Sequence, residues 1–218
     1  MSFSAPVATF ASLENVANLV HGFTLRVEGL DVNTDRDIAL RRLDSYHRAA
    51  IERVGAGGMP IVTATQVHGR KVTVVDEKTA VPVPNSDGLV TANRGVCIGV
   101  YVADCCAVFA VDPRKGIIGL VHSGRKGSEL GIITALIDTM QSEYGTNPAD
   151  LLVQLSPCIR PPQYEVDFTG MIIEDCRKAG VASVFDCEEN TAADLHRYYS
   201  YRMEKGKTGR MLAVLAWR

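Results

Sequence analysis

Residues 95–121 read GVCIGVYVADCCAVFAVDPRKGIIGLV, three apolar runs divided by short polar joints. Val, Ile, Cys and Phe crowd residues 95–102, 107–111 and 116–121, while Asp104 and the Asp112-Pro113-Arg114-Lys115-Gly116 segment mark the breaks. Runs this short, rich in β-branched residues and bounded by Asp, Pro and Gly, read as buried strands rather than as helices. Successive side chains of a strand point to opposite faces, so Cys105 and Cys106 face opposite ways if the strand continues through them, and Cys106 belongs to the core.

Outward from this block, residues 60–65 and 71–75 offer two more strand-like runs, and residues 21–27 a third behind an irregular arm or edge strand at 1–12. Between them, residues 35–54 carry Ile38, Ala39, Leu43, Ala49, Ile51 and Val54 at helical spacing among arginines and end on Gly55-Ala56-Gly57-Gly58. That pattern predicts an amphipathic helix with a glycine stop. On the C-terminal side, residues 128–144 predict a helix closed by Gly145, residues 151–155 a buried strand, residues 168–178 a helix, residues 192–199 a weaker helix, and residues 211–217 a last strand. No repeat or long linker interrupts the series. The expectation is one domain over 1–218, α/β of the α+β type, with mixed or antiparallel sheets flanked by helices.

With 46% hydrophobic residues the chain can bury a sizeable core. Lys and Arg number 23 against 25 Asp and Glu, which argues against a general nucleic-acid footprint or attraction to an acidic membrane surface. No apolar run approaches the length of a membrane helix, and no basic-then-hydrophobic leader opens the sequence, so a cytoplasmic location is expected. The six cysteines form no CxxC pair and read as intracellular thiols, with Cys97, Cys176 and Cys187 as small buried residues.

Chemistry concentrates in three short segments, Gln66-Val67-His68-Gly69, Ala103-Asp104-Cys105 and Val121-His122-Ser123-Gly124. Each places a soft ligand where a strand-like run ends or begins. Two imidazoles and a thiol are what a catalytic zinc site uses when its fourth position stays open. Separations of 37 and 17 residues exceed any single helix face or zinc-finger loop, so only a folded scaffold can gather them. Asp104 reads either as a residue that orients a ligand or as a backbone cap.

Taken together with His21-Gly22-Phe23-Thr24-Leu25-Arg26, Asp87-Gly88-Leu89-Val90-Thr91, Pro157-Cys158-Ile159, Tyr164-Glu165-Val166, Tyr199-Ser200-Tyr201-Arg202 and Thr208-Gly209-Arg210, these segments resemble the YfiH or laccase-domain family over nearly the whole chain. The family carries the older label polyphenol oxidase and includes purine nucleoside phosphorylases with accompanying adenosine deaminase activity. The resemblance implies that His68, Cys105 and His122 are metal ligands at a catalytic centre, normally for zinc, with copper as an alternative occupant. It implies a purine nucleoside and phosphate as substrates, and it leaves the oligomeric state open. Phosphate needs cations or backbone N–H donors, for which Arg26, Arg125, Lys126 and Arg202 are the candidates, together with amides of the loop 123–128. The chain departs from the family where Ala-Gly-Trp-Arg-Gly usually follows the second histidine. Here the order is Ser123-Gly124-Arg125-Lys126-Gly127, without the aromatic ring.

Two other readings stay open on the residues alone. Cys105 could be the nucleophile of a Cys-His hydrolase or deamidase, or the fold could persist as a binding protein after active-site drift. A multicopper oxidase is disfavoured, because five histidines (His21, His47, His68, His122 and His196) are too few for its copper centres once two are assigned to this site. The H-x-E and P-C-x-x-C signature of zinc nucleobase deaminases is absent, so a deaminase activity would need another proton relay.

Overall fold

Strands that are apolar on both faces need a cover on each side, and this chain supplies it by stacking two sheets between helices. The computed structural model describes residues 6–218, so residues 1–5 of the expected N-terminal arm lie outside the described residues. The first sheet has the order β1 (Val7–Ala8), β2 (Leu19–Thr24), β11 (Met211–Trp217), β6 (Cys97–Val102) and β3 (Ile61–Thr63). The second runs β10 (Ser183–Asp186), β9 (Leu152–Leu155), β7 (Cys106–Asp112), β8 (Ile117–Ser123), β5 (Gly88–Thr91) and β4 (Val72–Val74). Both sheets are mixed: β3 pairs parallel to β6, β4 to β5 and β10 to β9, and the other pairings are antiparallel.

Among the described residues five α-helices complete the layers: α1 (Ala11–Glu14), α2 (Arg36–Val54), α3 (Arg125–Glu129), α4 (Ile132–Tyr144) and α5 (Phe168–Lys178). Phe23, Ile98, Met211 and Leu215 of the first sheet meet Leu89, Phe109, Ile118 and Leu120 of the second in one buried cluster. The far face of the first sheet packs Val20, Leu212 and Val214 on Ile51 of α2. Across the molecule, Val108, Ala110 and Val153 meet Ile133, Leu136 and Met140 of α4 and Ile172 of α5. Full burial of each large aliphatic side chain contributes about 1.5–3 kcal/mol, so the unbroken apolar runs that made these strands legible also hold the layers together. Cys106, Cys97 and Cys176 are buried as expected, whereas Cys187 is only half-buried.

The helices at 35–54 and 168–178 and the strand at 211–217 lie where the sequence places them, the first beginning one residue later. The helix expected over 128–144 is two helices. Gly131 sits between them at φ +77°, in the left-handed region that glycine enters without strain, and this breaks the hydrogen-bond ladder. The loop expected over 123–128 is therefore largely α3. The weaker helix expected over 192–199 is absent. Its backbone is diverted into turns by Asp194, which accepts from the amides of His196 and Arg197, while Tyr198 and Tyr199 are pulled into the core. Strands β5 and β10, at Gly88–Thr91 and Ser183–Asp186, join the set without having been foreseen as strands.

Candidate metal centre

The ladder between β7 and β8 pairs Cys106 with Ser123 and Ala107 with His122, so the turn before β7 lies beside the end of β8. That register carries Cys105 onto Gly124. A Cβ on Gly124 would stand 2.5 Å from Cys105 Sγ, so only glycine leaves room for the thiol at this spot. His68 arrives from the loop after β3 and meets His122 edge to face, with ring centroids 4.7 Å apart. One ligand atom from each of His68, Cys105 and His122 lies within 4.8 Å of the others, the one such group of His, Cys, Asp and Glu among the described residues. Two imidazoles and a thiol converging this closely fit a borderline-soft cation such as zinc.

Asp87 fixes this arrangement. Its carboxylate is fully buried, and Oδ1 lies 3.0 Å from His122 Nδ1. An ionised carboxylate only accepts, so Nδ1 carries the proton and Nε2 keeps the lone pair that could hold a metal. The same carboxylate accepts from the amides of Val67 at 3.1 Å, His68 at 2.9 Å and Gly69 at 2.8 Å. Gln66 and His68 stand at φ +56° and +58°, unusual for residues with a Cβ; such backbone costs about 1–3 kcal/mol per residue and persists only where its surroundings enforce it. Three successive amides on one buried anion are that enforcement. Sequence reading quoted Asp87 within a motif but gave it no role.

Charge is balanced within the cluster. Burial pushes the Asp87 carboxyl up, but its bond to His122 and the amides of Gly69 and Val67 hold it at about 2. Burial likewise opposes ionisation of Cys105 and His122, yet each favours the charged form of the other. The Cys105 thiol is drawn down by His122 and His68, and the His122 imidazole is drawn up by Cys105 and Asp87.

Asp104, at φ +80°, is a structural tie. Its carboxylate accepts from Thr191 Oγ1 at 2.8 Å, Ser200 Oγ at 3.0 Å and the Arg202 amide at 2.7 Å, which anchors the 190–202 segment beside Cys105.

The trio opens into a cavity of about 790 Å³. Arg125, Lys126 and Arg202, three of the four cations offered as phosphate candidates, line it, and so do Tyr164, Phe168 and Tyr201. Arg26 does not line it. Its Nη2 bonds Glu204 at 2.6 Å, its Nε bonds the Tyr198 carbonyl, and its guanidinium lies over the Tyr199 ring. Two cations that sequence reading missed, Arg36 and Arg210, also line the cavity.

Comparison with known proteins identifies the family and the fold. A family model described as multi-copper polyphenol oxidoreductase laccase matches residues 29–171 and 165–218. The purine nucleoside phosphorylase YlmD of Geobacillus stearothermophilus is 29% identical over 233 residues, covering 87% of this chain and 82% of that protein. The purine nucleoside phosphorylase SCO2081 of Streptomyces coelicolor is 36% identical over 118 residues, 54% of this chain and 48% of the relative. Against that relative and its mycobacterial counterparts the match spans about half of their length. Among solved structures, YlmD superposes with a TM-score of 0.84 at 23% identity, covering 99% of this chain and 100% of that one. The Bacillus licheniformis hypothetical protein YfiH gives 0.83 at 19%, covering 100% and 97%. These superpositions establish a shared fold.

Proposed function

The chain belongs to the laccase-domain, YfiH-type family, and on that premise we propose that it is a metal-dependent purine nucleoside phosphorylase. The observation that carries the reading is the convergence of His68, Cys105 and His122 on the wall of an open, cation-lined cavity. In the proposed reaction a phosphate oxygen bonds to the ribose anomeric carbon while the carbon–nitrogen bond to the purine breaks. The bonding pair leaves with the base, which takes up a proton, and ribose 1-phosphate remains. A zinc ion held by His68, Cys105 and His122, with copper as an alternative occupant, would supply Lewis-acid stabilisation of developing negative charge.

The remaining work falls to the chain's own groups. Asp87 keeps His122 in one tautomer and holds the loop of His68 in its strained form. Tyr164 and Tyr201 offer aromatic rings in the cavity, with Phe168 buried edge-on behind Tyr164, and we assign them the place of the ring missing from the segment after His122. A purine stacks on such faces with about 1–3 kcal/mol per base. The cations lining the cavity oppose the charge of phosphate.

The test is product analysis with adenosine, inosine, guanosine and methylthioadenosine, with and without phosphate. Base release that depends on phosphate is expected, with an equal yield of ribose 1-phosphate. Base release at the same rate without phosphate would contradict the reading. Inosine formed from adenosine in the same assay would add the deaminase activity.

A second reading rests on Asp87, His122 and Cys105 in series, which has the order of an Asp-His-Cys hydrolase and a thiol drawn toward its thiolate. Stoichiometric zinc that protects Cys105 from alkylation favours the phosphorylase. Metal-free protein that forms an acyl-enzyme on Cys105 favours the hydrolase.

A further inference from the structure

The cavity's five cations are not equivalent. Arg125 Nε is bonded to Glu129 at 2.8 Å and Arg202 Nη2 to Glu165 at 2.8 Å, so both already have partners on the rim. Arg36 and Arg210 have no hydrogen-bonded carboxylate among the described residues. Arg36 opens α2 and forms only a long ion pair with the exposed Asp37, at 3.7 Å, while the Arg210 guanidinium lies 5.7 Å from the Tyr201 ring centroid. Arg210 is 9% exposed and comes just before β11. Its Nη1 donates to the carbonyls of Thr208 and Gly209, both at 2.8 Å, while Nε and Nη2 have no hydrogen-bond partner among the described residues. A guanidinium buried without a carboxylate is unfavourable unless an anion completes it.

Three further features converge there. The N-cap Asp35 makes no side-chain bond to the first turn of α2, so amides of that turn stay free at the positive end of a helix of 19 residues. Asp35 lines the cavity but forms no ion pair with either arginine. Arg36 and Arg210 repel each other, which lowers the basicity of Arg210 beyond the effect of burial, and Arg210 also senses the charge of Cys105. Finally, His47 Nε2 lies 3.2 Å from the Arg210 carbonyl, and its ring meets Tyr101 at a tilt of 42° with centroids 5.6 Å apart, which braces the Arg210 backbone.

We propose that Arg36, Arg210 and the first turn of α2 form the subsite for a phosphate dianion in the same cavity as the His68, Cys105 and His122 trio. The proposal deepens the phosphorylase reading and rests on it for the identity of the dianion as free orthophosphate rather than the phosphate ester of a nucleotide. Free orthophosphate suits the site because a nucleoside substrate brings no phosphate of its own.

The test compares wild type with Arg36→Gln and Arg210→Lys. Arg36 is half-exposed at a helix start, so its variant keeps the fold, and the Lys variant keeps charge at the buried position. The first readout is the melting temperature in inorganic phosphate against the same ionic strength of chloride, and the same with adenosine 5′-monophosphate. The second is KM for phosphate and KM for inosine. We expect phosphate to raise the melting temperature of wild type but not of Arg36→Gln. We also expect phosphate KM to rise about 10-fold or more in Arg36→Gln, the loss of a charge-assisted contact, with inosine KM changed less than about 2-fold. An unchanged phosphate shift and KM in both variants would overturn the subsite while leaving phosphorolysis intact. Stabilisation by the monophosphate ester but not by orthophosphate would overturn the assignment of the occupant. If no nucleoside is phosphorolysed, the reaction fails but the thermal shift still decides the subsite.

Discussion

His122 and Asp87 lie sealed beneath the ends of β8 and β5 with 4% and 0% of their side chains in solvent, whereas Arg125 and Arg202 enter the same cavity with 49% of theirs exposed. The first wall is over-determined: one carboxylate holds three amides and an imidazole, and a glycine makes way for the thiol. The second is a rim whose charges pair with their own neighbours. The contrast teaches that a cavity can be rigid where it must hold a metal in one geometry and adaptable where it admits a substrate, because preorganisation matters most at the reacting atoms.

The largest effect we expect comes from acid, and it sharpens the contrast by acting behind neither ligand. Burial lowers the His47 imidazole to about 4 from 6.5. The unfolded chain therefore takes up a proton below pH 6.5 that the folded protein refuses until about pH 4. The His47 contribution is complete above pH 6.5 and is lost as pH falls from there to 4, by about 3 kcal/mol. Urea midpoints measured from pH 7.5 to 4.5 should fall in wild type and fall less in His47→Gln. Parallel curves would contradict the assignment. Asp87, held at about 2, keeps its charge throughout that window.

Asp87→Asn breaks the sealed wall directly. An amide cannot accept as a carboxylate does from His122 and three backbone donors, and metal affinity should drop about 10–100-fold. Competition with a chromogenic chelator measures it. Gly124→Ala tests the same wall from the side of the thiol. The added methyl overlaps Cys105 Sγ, and we expect about a 10-fold loss in metal affinity with about 1–3 kcal/mol of stability. Unchanged affinity would mean that the thiol moves without consequence.

On the rim, Arg125→Gln removes a surface ion pair that contributes about 0–1 kcal/mol. Metal content should stay as in wild type, and the melting temperature should shift by no more than a few degrees. A loss of metal comparable to that of Asp87→Asn would erase the distinction between the two walls.

How much of this was legible in the sequence follows the same division. His68, Cys105 and His122 each adjoin an apolar run, and strand ends announce themselves through local composition. The layers followed from the same unbroken apolar runs, since β7 and β8 are buried on both faces. The break at Gly131 was readable in principle, for a glycine inside a helical pattern is a known interruption. What sequence could not show was pairing over distance. Arg26 looks like a free cation until Glu204, 178 residues away, takes it. Asp87 gains its role only when the fold brings it to His68 and His122, 19 and 35 residues distant. Arg36 and Arg210 lie 174 residues apart, the second quoted within a motif but given no role, and only the fold brings both to the lining of one cavity.

The most direct test of the central claim is metal content measured together with phosphate-dependent base release in wild type, His68→Ala and Cys105→Ala, with folding checked by circular dichroism. The account predicts about one zinc per wild-type chain, and folded variants that have lost both the metal and the phosphate-dependent activity. Folded variants that still release base at the wild-type rate would contradict it.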